Sequence, residues 1–295
     1  RMQMINIIQQ LVNGLSIGSV YALMAVGYSL VYSVMNFSNF AHGGVIMFGA
    51  YFGFFFMTLY KLPFWIAIIL SGLSAGLLAV LIERIAYRPL RNRDAPFLYF
   101  LISSMGVSIL LENLVVATIG PTFRTFPVVF SEQPIRILGI VIGRIDIIMF
   151  VIAAVCLGIL IYLLDYTKLG RAIRASAFNM KGSALVGINT DKIILLVFLI
   201  GGILGGISGM LFGMKYTVYP QIGNITIKSF IAAVFGGLGS VPGAVIGSLL
   251  LGIIETITSG YITSQYRDLI SYALLVLVLV IKPTGLMGKS IEDKA

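Results

Sequence analysis

The sequence predicts an all-α protein that spans a membrane several times, and three observations carry that expectation. Hydrophobic residues make up 59% of the chain and charged residues only 11%. The mean hydropathy is +1.03. The apolar residues also gather into long runs, and a helix needs about 20 such residues to cross the hydrocarbon layer. A chain of this composition could not keep most of its surface in water.

Taken in order, eight apolar segments stand at about 5 to 34, 41 to 60, 63 to 82, 97 to 119, 146 to 164, 193 to 214, 230 to 257 and 262 to 281. The first is too long for the apolar core of a secretion signal and lacks a basic leader and a small-residue cleavage site, so it is expected to remain as a span. All but one segment can cross once as a plain helix. The exception is 230–257, whose middle reads GGLGSVPGA. Gly236, Gly237, Gly239, Pro242 and Gly243 interrupt any continuous helix there, so a broken or re-entrant segment is expected. Irregular backbone at membrane depth is tolerated only where protein or a watery cavity satisfies its polar groups. One transmembrane domain is expected over residues 1–295.

The formal net charge of +9 would suggest nucleic acid in a soluble domain. Here the basic residues sit in short loops between apolar runs, where they set orientation instead, and nucleic acid is discarded as a partner. Twelve of the 20 Lys and Arg residues fall in 83–96, in 168–192 and in the tail from Lys282, and all three regions are expected inside. Both the 168–192 loop and the tail can be inside only if the chain crosses an even number of times between them. That parity is met when 230–257 dips in and returns. Counting back from 83–96 through three spans places the N-terminus outside.

The loop KLGRAIRASAFNMKGSALVGINTDK (168–192) is the most polar stretch between spans. Asn179 can cap a helix start and Gly187 can take the left-handed position after a helix end, which predicts about two turns over Met180 to Val186. Met180 and Ala184 then share a face, with Leu185 beside them. Lys168, Arg171, Arg174, Lys181 and Lys192 surround this helix. Two readings stand: a docking element for a cytosolic partner, or an interfacial helix lying on anionic lipid.

Gly201, Gly205, Gly209 and Gly213 form an i+4 ladder, followed by the glycine-rich stretch from Gly236. Gly14, Gly18 and Ala22 repeat that spacing in the first segment, followed by His42, Gly43 and Gly44. Each ladder by itself lets helix backbones approach closely. Two glycine-interrupted segments in matching positions further suggest a two-fold internal repeat with a substrate passage near the midplane. Polar candidates for its lining are Asn36, Asn39 and His42 (NFSNFAH), Glu112 and Asn113 in the fourth segment, and Ser240 beside Gly236, Gly237 and Gly239 in the break. Glu255 carries less weight because it lies close to a segment end. Against these roles, His42 could be an ordinary interface histidine and Glu112 a pairing group near the outer surface. One histidine, one cysteine (Cys156, in an apolar run) and no close acid pair exclude a catalytic set, a disulfide framework and a metal site. No phosphate-binding glycine loop is present, so the chain cannot use ATP by itself.

GRAIRASAFNMKGSALVGIN (170–189), NFSNFAHGGVIMFGAY (36–51), NGLSIGSVYALMAVGYSLVY (13–32), GGLGSVPGAVIGSLLLGIIE (236–255) and the tail KPTGLMG resemble the permease subunit of bacterial high-affinity branched-chain amino-acid ABC importers, the LivH type. The resemblance covers nearly the whole chain, with the motifs in order, and departs at Phe178, where a polar residue, commonly Gln or Glu, is more usual. It implies that the 170–189 loop couples to a separate ATPase through Gly170, Arg171, Arg174, Ala175, Asn179, Met180, Ala184, Leu185, Gly187, Ile188 and Asn189. It further implies a bacterial inner-membrane assembly of two related permeases, two cytosolic ATPases and an external binding protein, moving leucine, isoleucine or valine by alternating access. No cofactor is implied. Similar permeases serve urea and short amides. A secondary transporter or channel needing no ATPase is the alternative of another class, and it predicts charged residues along several spans.

Overall fold

The computed structural model describes residues 2–130, 133–137 and 139–288. Helices among them are α1 (Met2–Met35), α2 (His42–Thr58), α3 (Phe64–Ile82), α5 (Phe97–Thr118), α6 (Arg144–Tyr166), α7 (Lys168–Phe178), α8 (Met180–Leu185), α9 (Thr190–Lys215), α10 (Thr226–Gly236), α11 (Val241–Tyr261) and α12 (Arg267–Ile281). Helix α3 continues through a π-helical turn, Glu83–Tyr87, into a short α4 (Arg88–Arg91). A small antiparallel hairpin of β1 (Ile135–Ile137) and β2 (Ile140–Ile142) precedes α6, with Ile135 opposite Ile142. Seven helices among the described residues are long and apolar enough to cross a membrane. The chain is thus an all-α multispanning membrane protein. Helix α2, expected as a plain span, has only 17 residues, about 25 Å of helix against a hydrocarbon layer of about 30 Å.

The described residues within 1–26, 128–157 and 227–295 group into one compact unit and those within 27–127 and 158–226 into a second, interleaved with it along the sequence. In the second unit the core is α2, α3 and α9 packed backbone to backbone. A methyl group on Gly202 would lie 2.8 Å from the Gly76 Cα of α3, and one on Gly49 of α2 would overlap the backbone of Gly206. Ser71 of α3 donates to the Gly49 carbonyl at 2.7 Å, so even the hydroxyl at this crossing is satisfied across helices. The i+4 ladder on α9 thus serves contact: Gly201 lies on Gly27, Gly205 on His42 and Gly209 on Ile46. This is how helices associate where lipid offers no hydrophobic drive, through close van der Waals approach of small residues.

In the first unit the same device joins α1 to α11, where a methyl on Gly14 would sit 2.7 Å from the Ile253 Cα. These contacts do not establish the two-fold repeat expected from the spacing. Gln9 of α1 clamps the hairpin by pairing its amide with both backbone groups of Val141, at 2.7 and 2.8 Å. The break expected in 230–257 lies at residues 237–240, between α10 and α11. Helix α10 has 11 residues, about 16 Å, too short to cross the hydrocarbon. Gly237 (φ +113) and Gly239 (φ +83) make the turn, and Ser240 caps α11 by accepting from the Gly243 amide at 3.2 Å. The tail then closes the end of α10: the Leu286 and Met287 amides donate to the Phe235 and Gly236 carbonyls at 2.9 and 2.8 Å. Those carbonyls are among the four that a helix end leaves without partners. The tail lysines Lys289 and Lys294, counted in the orientation argument, lie outside the described residues.

A side chain at Gly237 would therefore meet two obstacles, a φ that L-residues rarely adopt and the backbone of Gly288. Gly237→Leu is expected to lower the melting temperature and to expose the tail to proteolysis. Wild-type melting and tail protection in that variant would show that the turn tolerates a side chain.

Candidate functional site

The loop between α6 and α9 is built by local devices at both ends of each helix. Thr167 caps α7, accepting from the Gly170 amide at 3.1 Å. Gly170 is pressed onto the carbonyls of Leu163 and Leu164, where any Cβ would overlap them. Arg174 reaches back to the Leu164 carbonyl and to Asp165 at 2.8 Å, so a cation closes the negative end of α6. Asn179 then caps α8, accepting from Gly182 at 2.8 Å, and Asn189 caps α9, accepting from Lys192 at 3.1 Å. Gly187 (φ +86) ends α8. Its amide donates to Ala184 and that of Ile188 to Ser183, the Schellman pattern. The helix is one residue shorter than expected, with Val186 as its C-cap.

A six-residue helix fixed at both ends presents an outer surface that is apolar. Leu185 is 90% exposed, Val186 76% and Phe178 65%; Ala184 is exposed beside them, whereas Met180 is half-buried. The open face is thus Ala184, Leu185 and Val186 with Phe178, rather than the Met180–Ala184 line. Arg171, Arg174, Asn179, Gly187 and Asn189 are exposed, Ala175 and Ile188 half-buried, and Gly170 buried.

Directly after this helix, Asp191 in the first turn of α9 is held by Arg91 at 3.0 Å and by Arg88 at 3.3 Å. Arg91 also holds Glu83 at 2.6 Å, and the Glu83 side chain has no exposed surface. Sequence reasoning gave this group no role beyond orientation.

Among the passage candidates of the same unit, Asn36 is exposed at a positive φ of 54. Asn39 is buried and accepts from the Tyr87 hydroxyl at 2.7 Å. His42 is buried at the crossing of Gly27 and Gly205, with the Tyr28 ring edge-on at 6.2 Å between centroids. Beside Asn39 and His42 lies a cavity of about 10 Å³, room for about one water molecule. Gly43 is closed against Gly223 and Gly44 against Leu111. Glu112 is half-buried, and Asn113 is exposed with its amide on the Ile109 carbonyl at 2.8 Å. In the other unit Gly236 and Gly237 are buried, and Gly239 and Ser240 are half-buried, in the α10–α11 turn.

That unit also holds a group that sequence reasoning undervalued. Glu255 is 1% exposed and carries Lys228 at 2.9 Å. It further accepts from the Tyr21 hydroxyl at 3.0 Å and the Ser271 hydroxyl at 2.8 Å. Lys228 also meets Asp268 at 2.8 Å, so one ammonium ties α10, α11 and α12 together. Closeness to a segment end hid this, because what buries Glu255 comes from α1, α10 and α12. The available signal was a glutamate inside the broken apolar segment 230–257 and a lysine, Lys228, two residues before it.

The family model described as "Branched-chain amino acid transport system / permease component" matches residues 10–279. The chain is 38% identical to the high-affinity branched-chain amino acid transport system permease protein LivH of Salmonella typhimurium, over 99% of each chain. It is 40% identical to the corresponding protein BraD of Pseudomonas aeruginosa, over 97% of each. A solved structure, PsaBC from Streptococcus pneumoniae in complex with Fab, shares the fold at a TM-score of 0.50 and 14% identity, with 92% of this chain and 91% of that chain covered. The chain belongs to the family of branched-chain amino acid permease components.

Proposed function

We propose that this protein is the membrane-spanning permease subunit of an ATP-driven bacterial importer of branched-chain amino acids, seated in the inner membrane. The observation that carries this reading is the capped helix α8 with Leu185 and Val186 standing almost free. Large apolar side chains left uncovered by the chain on a helix capped at both ends imply a partner surface, and helix-in-groove docking is the general mode for such a face. The partner is a cytosolic ATPase, two copies of which would serve this chain and a second, related permease. An external binding protein would deliver the solute, and ATP-driven closure would open the passage to each side in turn. Asn39, His42 and Ser240 are the candidate lining groups. Gly43 and Gly237 are poor probes of that passage, because each closes on neighbouring backbone.

Purified permease, its ATPases and the binding protein are to be reconstituted in liposomes and tested for uptake of leucine, isoleucine, valine, urea and acetamide. ATP-dependent uptake of the three amino acids is expected, with urea and acetamide at background. Urea uptake alone would move the assignment to short amides, and uptake without ATPase would make the chain a secondary transporter. In a Cys156→Ala background, a cysteine at Ser240 is expected to react with a water-soluble thiol reagent in a nucleotide-dependent manner. Equal reactivity in every nucleotide state would remove Ser240 from the passage.

A further inference from the structure

We infer that Glu83, Arg91 and Asp191 form a two-position latch that passes movement of α8 to the end of α3, with Glu83 as its positioning residue. The inference rests on the coupling reading of α8. Three features of the structure support it. First, Arg91 divides its fork: one terminal nitrogen lies 2.6 Å from Glu83 and the other 3.0 Å from Asp191. Second, Asp191 stands in the first turn of α9, which is capped by Asn189 and separated from α8 by only a few residues, so a shift of α8 reaches this carboxylate directly. Third, Glu83 has no exposed side-chain surface, and its Oε2 makes no hydrogen bond to any described residue.

A buried carboxylate keeps its cation, because leaving the charge alone is strongly unfavourable. The partner of Asp191 is less constrained, since the Asp191 side chain is 46% exposed while that of Arg91 is 17% exposed. If α8 carries Asp191 away, the freed nitrogen of Arg91 can turn to the unused Oε2 of Glu83. The bridge then becomes a two-pronged pair on one carboxylate, a geometry the planar guanidinium favours. Both positions leave Glu83 paired, which is what a bistable element requires. Glu83 also opens the π-helical turn that joins α3 to α4, and single π turns inside helices recur at functional sites. Tyr87 ends that turn and holds Asn39, so the latch is joined to the candidate lining.

The test is uptake per ATP hydrolysed in the reconstituted complex, measured for Glu83→Gln, Arg91→Lys and Asp191→Asn. All three variants are expected to keep substrate-stimulated ATP hydrolysis within about twofold of wild type, while uptake per ATP falls at least fivefold. Asp191→Asn guards against a folding failure at the buried Glu83, because it changes a half-exposed group. Uptake per ATP unchanged in Asp191→Asn and Arg91→Lys overturns the latch. A proportional fall of hydrolysis and uptake also overturns it, since that is what lost structure alone would give. Failure of the coupling reading itself is recognised separately, as normal stimulation of ATP hydrolysis by Leu185→Asp in the otherwise wild-type chain.

Discussion

Leu185→Asp is expected to abolish substrate-stimulated ATP hydrolysis while the permease still inserts, folds and melts as wild type. The side chain is 90% exposed, so within this chain it has almost nothing to lose, and surface changes of this kind usually stay within about 0.5 kcal/mol. In a docked complex the same position loses the burial of a leucine, about 1.5–3 kcal/mol, and places a charge without a partner in an apolar cleft. Together these weaken docking by about a hundredfold or more. Ala184→Asp, on the same open face, is expected to act alike. The measurement is binding of the purified ATPase to detergent-solubilised variants, alongside stimulated hydrolysis. Normal stimulation in both variants would mean that α8 does not seat on the ATPase, and the lipid-surface reading of this helix would replace it.

The second large effect concerns the charged group inside the helices. Lys228→Met removes the ammonium from Glu255, leaving a carboxylate that is 1% exposed with only two hydroxyls. Removing one partner of a buried pair typically costs about 3–5 kcal/mol, which for a chain of this size lowers the melting temperature by roughly 10 °C. The double change Lys228→Met with Glu255→Leu removes the stranded charge and is expected to recover most of that loss. Comparison of the single and double variants separates the pair from the packing of its stems. If Lys228→Met alone melts as wild type, the pair contributes nothing and water reaches Glu255. Wherever the melting point falls, transport by the double variant also reads whether the pair serves only to hold α10, α11 and α12 together.

Much of this protein is fixed by signals that act within a few residues. The apolar runs decide that the chain is helical and spans a membrane. The caps at Asn179, Asn189 and Ser240 and the left-handed ends at Gly187 and Gly237 are local chemistry; the sequence placed helix boundaries at Asn179 and Gly187 and a break around Gly237, while the caps at Asn189 and Ser240 emerged with the structure. The short helix of the 168–192 loop was legible for this reason, whereas α7 (Lys168–Phe178) before it was not anticipated. The KPTGLMG tail, legible only as a motif, gains its role from the two carbonyls of α10 that it closes.

What only the tertiary structure decided is which distant groups meet. Tyr21 and Glu255 are 234 positions apart, and Arg91 and Asp191 are 100 apart. Spacing rules for helices reach three or four residues and carry no information about such partners. Burial followed the same division. The sequence marked Glu112 and Asn113 as membrane-depth polar groups, yet Asn113 faces outward while Glu255 is enclosed, because a span shows its polarity in sequence but not which neighbours cover it. The glycines divide likewise: their i+4 spacing announces close packing, and only the fold reveals that Gly206 meets Gly49 on one side and α3 on the other. A small residue permits approach without naming its partner, so the sequence determined that helices pack closely and the fold determined which ones.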